Sequence, residues 1–181
     1  MKPLDFAVIG AQKCATTTLF ELLRQHPGVH LPLEKEVPFF TGSDCGPGAW
    51  SAFSQHIFGA DDGRLRGKVT PQYMANPEVP ARMAALMPKL RLIALLRDPI
   101  ERSRSHYRMG VRRQTETRSF DGAMRACLDR GELARARAAR APTHSQGYES
   151  EADFYLAWSE YGRILNAYRR YFPVEQMLVL Y

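Results

Sequence analysis

The sequence predicts an α/β fold, a central and mostly parallel sheet flanked by helices. Two observations carry this. Apolar runs such as Phe6-Ala7-Val8-Ile9 and Leu92-Ile93-Ala94-Leu95-Leu96 are continuous rather than alternating, as strands buried on both faces are. Between the runs, apolar residues recur at helical spacing, so strand and helix alternate along the chain. At 181 residues, against ~150 for a typical domain, the chain reads as one domain.

Phe6 to Ile9 reads as a buried strand that stops at Gly10. After a polar loop, Leu19, Leu22, Leu23 and His26 mark a helix closed by Pro27-Gly28. Val29-His30-Leu31 and Lys68-Val69-Thr70 are the next strands, the second closed by Pro71. Pro80 to Met87 reads as a helix and Leu92 to Leu96 as the strongest strand. Asp98-Pro99-Ile100-Glu101 then opens a helix, with Asp98 as N-cap, Pro99 at N1 and Glu101 placed to reach back to the cap amide. That helix carries Ile100, Ser103, Tyr107 and Val111 on one face. Phe120 to Leu128 reads as a further helix. The Arg/Ala-rich stretch from Arg130 to Gly147, broken by Pro142, is either a helix with a basic face or a mobile excursion. A helix from about Ala152 to Tyr171 and a strand from Met177 to Leu180 complete the pattern, and there is no internal repeat.

Apolar residues make up 45% and charged residues 24%, values that exclude a disordered or fibrous chain. The 25 Lys+Arg exceed the 19 Asp+Glu by six, which suits an anionic partner of any size. Cys14, Cys45 and Cys127 cannot all pair and have no metal-ligand spacing, so neither a disulfide framework nor a metal site is expected, and a cytoplasmic, reducing compartment is. The apolar run near the N-terminus is too short for a signal peptide or a membrane span.

In a parallel sheet, ligands bind at the carboxyl ends of the strands. The segment Gly10 to Thr18 lies there, between a strand and a helix N-terminus whose first amides are unpaired and whose dipole favours negative charge. With a lysine and three consecutive threonines it suits a phosphate or similar oxyanion. On composition alone it fits equally an ordinary polar loop with Thr16 or Thr17 as N-cap. It is not a nucleoside-triphosphate loop of the form G-x-x-x-x-G-K-S/T, because Lys13 stands three residues before Thr16 and no second glycine appears. The strand Leu92–Leu96 also runs into Arg97 before Asp98, where a metal-holding aspartate would end the strand directly. An anion neutralised by Lys and Arg without a metal is the better fit.

The run Lys13-Cys14-Ala15-Thr16-Thr17-Thr18-Leu19 resembles the 5′-phosphosulfate loop of sulfotransferases that use 3′-phosphoadenosine 5′-phosphosulfate (PAPS), in the branch of the heparan sulfate N- and 3-O-sulfotransferases and their bacterial relatives. The resemblance implies a P-loop-NTPase-like three-layer fold, PAPS as co-substrate and no metal. It implies that Gln12, Lys13, Cys14, Ala15, Thr16, Thr17 and Thr18 surround the phosphosulfate, with Lys13 at its bridging oxygen and Thr16 and Thr17 at the 5′-phosphate. Cys14 reads as a small filler rather than a nucleophile, although a helix N-terminus should depress its thiol pKa.

Three further segments extend the likeness over about the first hundred and ten residues. Lys35-Glu36-Val37-Pro38-Phe39-Phe40 resembles the family's K-E-x-x-F-F, which makes Glu36 the general base, with Glu34 the alternate and His30 a weaker one. Lys68-Val69-Thr70-Pro71-Gln72-Tyr73 includes a likeness to K-S/T-P-x-Y, in which Lys68 neutralises the sulfonate or orders the acceptor. Arg97-Asp98-Pro99-Ile100-Glu101-Arg102 and Ser105 and Tyr107 beyond it resemble R-D/N-P-x-E/D-R-x-x-S-x-Y, in which Arg97 and Ser105 hold the 3′-phosphate. Asp98, Pro99, Glu101 and Arg102 read as structural, and Arg104, Arg108, Arg112, Arg113 and Arg118 as a solvated face.

The family continues past its last strand with a helix and a loop over the nucleotide, so residues 1–181 are expected to be a single sulfotransferase domain lacking that part. Expected partners are PAPS, its product 3′-phosphoadenosine 5′-phosphate (PAP), and an acceptor hydroxyl or amine on a carbohydrate, lipid or small metabolite. Residues 41–66 and 113–150 are expected to line the acceptor cleft; nucleic acid is not expected. The alternatives are a P-loop nucleotide kinase or NTPase and a non-catalytic basic module that binds polyanions.

Overall fold

A computed structural model describes residues 2–140 and 151–181. Five strands, β1 (Phe6–Gly10), β2 (Val29–His30), β3 (Leu65–Val69), β4 (Arg91–Leu95) and β5 (Met177–Leu180), form one sheet in the order β2-β3-β1-β4-β5. Every pairing is parallel, with Val8 opposite Val69 on one side and Ile93 on the other. Around the sheet lie α1 (Thr16–Arg24), α2 (Pro47–Phe58), α3 (Val79–Leu86), α4 (Pro99–Arg112), α5 (Phe120–Leu128), α6 (Arg130–Ala138) and α7 (Tyr161–Arg169).

The two-residue period of β1 divides the core between the sheet's faces. Ala7 and Ile9 join Leu92 and Ala94 against Trp50 and Phe58 of α2, Met83 of α3 and Ile164 and Tyr168 of α7. Val8 turns the other way and packs with Val69, Val29, Leu31 and Phe20 of α1. The result is helix, sheet, helix in three layers. From β1 the chain runs to the sheet edge, returns with β3 beside β1, and then crosses to β4 on the opposite side. The carboxyl end of β1 is therefore the switch point where a ligand crevice opens. Gly10, at φ 158°, ends β1 where the chain after β3 comes close: a Cβ there would lie 2.6 Å from Met74 Cβ and 3.0 Å from the Pro71 carbonyl.

Three expectations need correction. The helix expected from Ala152 to Tyr171 is helical in the α sense only over α7, preceded by a 3-10 turn at Ala157–Ser159. The stretch before α7 buries Tyr155 and Trp158 and turns the Tyr155 carbonyl onto Arg102, which a continuous helix would have spent on its own amides. On α4 the face carrying Ile100, Ser103, Tyr107 and Val111 is buried only at Ser103, with Tyr107 half-buried. Ile100 is 70% exposed, and Arg102, Ser103, His106, Met109 and Gly110 point inward. Finally, neither Thr16 nor Thr17 caps α1: the N-cap is Ala15, in a left-handed conformation.

Other features follow local chemistry. Asp98 caps α4 by accepting the Glu101 amide at 2.9 Å, while the Glu101 carboxylate pairs with Arg97 and Arg104 rather than reaching back. Asp129 ends α5 and caps α6, so the Arg/Ala-rich stretch is helical over Arg130–Ala138. The remainder of that stretch, residues 141–147 with Pro142, lies outside the described residues. α2 falls within residues expected only to border the acceptor cleft. Among the described residues, no helix is long and apolar enough to cross a membrane, and no His/Cys/Asp/Glu group could hold a metal ion.

Candidate anion-binding cleft

The loop between β1 and α1 turns on two left-handed residues, Lys13 at φ 71° and Ala15 at φ 58°. Such conformations cost about 1–3 kcal/mol each in residues other than glycine and persist only where the surroundings impose them. Alternating backbone handedness gathers successive N–H groups on one concave side, an anion-binding shape. Directly after it begins α1, whose N-terminus has no side-chain cap, so its first-turn amides and dipole face the same hollow.

A cleft of about 350 Å³ lies over this loop, a volume in the range of small-ligand sites. Gln12, Lys13, Ala15, Thr16 and Thr17 form one wall, and Ser105, Met109 and Arg113, from α4 and its C-cap, another. Lys35, Glu36 and Pro71 close the third side. Lys13 Nζ reaches across to 3.8 Å from Met109 Sδ. Its pKa is lowered by partial burial and by Arg112, Arg113 and Arg97, with Glu151 opposing. Lys13, Lys35 and Arg113 line the hollow, with Arg97 and Arg112 acting on Lys13 from outside it, and this excess of positive charge favours an anion there.

Glu36 is also left-handed, at φ 67°, and its amide donates to the Val69 carbonyl at the end of β3 at 3.1 Å. Its carboxylate is held by Gln72 Nε2 at 3.0 Å and by the neighbouring Lys35 ammonium. It thus stands across the cleft from Lys13 on a different element. Lys68 lies beneath rather than in the cleft. It is 1% exposed, donates to the Val37 carbonyl and sits 5.3 Å from the centre of the Phe53 ring. Burial pushes its pKa down to about 7, against the pull of Glu36.

The remaining candidates divide. Ser105 is in the cleft wall, whereas Arg97, at the end of β4, lies outside that lining and pairs with Glu101 at 3.5 Å. Thr18 is exposed and does not line the cleft. Cys14 faces the core, its Sγ 3.8 Å from Tyr161 Oη, and burial raises its pKa; the expected depression is overturned because the thiol turns away from the helix terminus. His30 faces Asp62 at 2.9 Å and the Phe58 ring, away from the cleft. Glu34 is exposed and does not line it either. Arg113 and Arg118 are not a solvated face. Arg113 lines the cleft, and Arg118 grips the buried Glu116 carboxylate with bonds of 3.0 and 2.8 Å.

The sequence reading missed Lys35, Gln72, Met109 and Arg113 as neighbours of the site, and missed a polar network behind it. His106, 1% exposed, stacks on Trp158 and places Nε2 2.9 Å from Glu151 Oε2. Its Nδ1 faces Arg102 Nη1 at 3.4 Å. Arg102 can only donate, so Nδ1 accepts, Nε2–H donates to Glu151, and the ring is neutral. Burial holds its pKa down to about 4 although Glu151 opposes this. An unfolded histidine takes up its proton near pH 6.5, so His106 favours the fold fully above that pH and loses its contribution as pH falls toward 4. Denaturation at pH 7 and pH 4.5 should show His106→Gln losing less stability than the parent, by on the order of 1 kcal/mol or more. Equal losses would contradict the neutral assignment.

No family model matches the chain. It is 35% identical over 109 residues to the membrane-associated sulfotransferase kil1 of Dictyostelium discoideum, covering 59% of this chain and 23% of that protein. It is 28% identical over 171 residues to the heparan sulfate glucosamine 3-O-sulfotransferase 6 of Homo sapiens, covering 94% of this chain and 44% of that one. With the bifunctional heparan sulfate N-deacetylase/N-sulfotransferase 4 of Mus musculus it shares 36% identity over 117 residues, covering 56% of this chain and 12% of that one. The crystal structure of a sulfotransferase from Alicyclobacillus acidocaldarius superposes with a TM-score of 0.76 at 27% identity, covering 99% of this chain and 73% of the other. The chain thus spans less than half the length of these curated relatives. The resemblance read from the motifs and the expected P-loop-like layered fold both hold.

Proposed function

From its similarity in sequence and fold to sulfotransferases, among them heparan sulfate 3-O- and N-enzymes, we propose that the chain transfers the sulfuryl group of PAPS to an acceptor hydroxyl or amine. The observation that carries the reading is the facing pair across one cleft: Lys13 on a strained anion loop and Glu36 held by Gln72 and Lys35. Such a transfer asks little covalent chemistry of the protein, so positioning and charge stabilisation dominate. Glu36 takes the acceptor proton as the acceptor atom bonds to sulfur. The bond from sulfur to the bridging oxygen breaks, and Lys13 compensates the charge that grows on that oxygen.

Thr16, Thr17 and the first-turn amides of α1 hold the 5′-phosphate, and Gln12, Cys14 and Ala15 shape the loop around it. Thr18 needs a different rotation of the first turn to take part. Ser105 meets the 3′-phosphate from the cleft wall, and Arg97 joins it by exchanging Glu101 for the phosphate. Lys68 supports the Glu36 segment from below through the Val37 carbonyl. The residues fit PAPS: the cations and amides match its phosphates, and the cleft suits a mononucleotide. No metal is needed.

Residues 1–181 belong to one sulfotransferase domain that works on PAPS and an acceptor in the cytoplasm; three unpaired cysteines suit a reducing compartment. The acceptor is a carbohydrate, lipid or small metabolite, and the relatives named for heparan sulfate glucosamine place amino sugars first in a screen. A thermal-shift series tests the donor. PAP should raise the melting temperature well beyond adenosine 5′-phosphate, and Mg²⁺-ATP should not exceed PAP. A larger shift with Mg²⁺-ATP would favour a kinase or NTPase, and steeply salt-dependent nucleic-acid binding without a PAP shift would favour a polyanion module.

A further inference from the structure

Resting on that reading, we propose that Glu151 is a positioning residue that sets the distance between the two phosphate-binding walls of the cleft. Its carboxylate accepts Gln12 Nε2 at 3.2 and 3.0 Å and faces His106 Nε2 at 2.9 Å. Gln12 immediately precedes Lys13 on the anion loop, and His106 immediately follows Ser105 on α4. One side chain therefore joins the residue beside the 5′-phosphosulfate lysine to the residue beside the 3′-phosphate serine.

Both ends of this tether are fixed. His106 is wedged between the Trp158 face and the Tyr155 edge, with ring centres 5.3 and 4.9 Å away. Arg102, fully buried, backs its other nitrogen and is itself held by Ser159 Oγ at 2.6 Å and by the Tyr155 carbonyl. At the loop end, Gln12 is bound just before the left-handed turn at Lys13, a conformation that needs outside support. A buried carboxylate is costly to desolvate and repels the anions bound in front of it. Its contribution lies in the geometry it imposes on Gln12 and His106.

A second effect separates positioning from bulk support. Lys13 is faced by Arg97 at the end of β4 and by Arg112 and Arg113 at the end of α4, all of which disfavour its charged form, as does burial. Glu151 acts in the opposite sense, and His106 beside it is neutral. Lys35 and Glu36 border the same cleft from the third side. Removing the Glu151 charge should therefore discharge Lys13 at a lower pH.

The test is titration of the full chain with PAP across pH 6–10 for the parent, Glu151→Gln and Glu151→Asp. In Glu151→Gln an amide oxygen in the place of Oε2 can still accept from both Gln12 and His106, but the amide nitrogen then stands in the place of Oε1, 3.2 Å from the Gln12 donor, and the charge is gone. This variant should bind PAP about tenfold more weakly, with the alkaline loss of binding moved to lower pH. Glu151→Asp keeps the charge but shortens the reach, so it should weaken PAP binding while leaving the alkaline limb in place. Parent-like affinity and pH limb in Glu151→Gln would overturn the proposal. So would equal weakening with the limb unmoved in both variants, which marks a merely structural role. If Glu151→Gln does not fold, the Glu151→Asp result decides, with parent affinity overturning the tether. Failure of the parent itself to bind PAP would instead overturn the functional reading.

Discussion

Replacing Glu36 by Gln should slow sulfuryl transfer by about 10²–10⁴-fold while leaving the affinity for PAP unchanged. The carboxamide keeps the size of the side chain and can still meet Gln72 and Lys35, so the left-handed turn and the cleft wall remain. What disappears is the basic oxygen that, in the proposed reaction, removes the acceptor proton. Single-turnover transfer from labelled PAPS, with the acceptor that the screen identifies, would show the loss in the chemical step. A variant that turned over at the parent rate would remove Glu36 from the mechanism. One that instead lost PAP binding would make Glu36 a structural part of the nucleotide site.

Lys13→Ala should lower both PAP affinity and the transfer rate, the rate by about 10²–10³-fold at saturating donor. The two effects have one origin. In the proposed reaction Lys13 is the cation on the β1–α1 loop itself, and its interaction strengthens as charge passes to the bridging oxygen in the transition state. Its half-buried place, among arginines that already depress its pKa, also means that its proton is lost more readily than that of a surface lysine. Activity should accordingly fall on the alkaline side before free lysines titrate. Arg112 and Arg113 would remain in Lys13→Ala, so residual weak, salt-sensitive binding is expected rather than none. Steady-state measurement of kcat and KM for PAPS separates the two losses. A change in KM alone would confine Lys13 to ground-state binding.

The parts legible in the sequence are those set by short-range chemistry. The β1 run that stops at Gly10, the Asp98 cap with Pro99 after it, and the β4 and β5 runs each announce themselves within a few residues. The loop between β1 and α1 was legible only in part: its lysine and threonines fit an ordinary polar loop equally well, and only the likeness to a phosphosulfate loop singled it out. Long-range packing was not legible. The inward face of α4 carries Arg102, Ser103 and His106, so the apolar Ile100 and Val111, both exposed, do not mark it. Arg102 and His106 are buried only because Glu151, Tyr155 and Ser159, some fifty residues later, supply their partners. Glu151 itself had no local signal. Lys68 illustrates the same limit: its motif placed it near the site, but only the fold shows that its ammonium is turned under the Glu36 segment.

In the proposed reaction the β1–α1 loop and the α4 wall together bind a 3′,5′-bisphosphorylated adenosine. Isothermal titration of PAP into the parent chain, Lys13→Ala and Arg97→Ala measures this directly. The parent should bind saturably, Lys13→Ala should bind far more weakly, and the loss in Arg97→Ala should vanish when adenosine 5′-phosphate replaces PAP. Equal affinity for PAP in all three proteins would contradict this assignment.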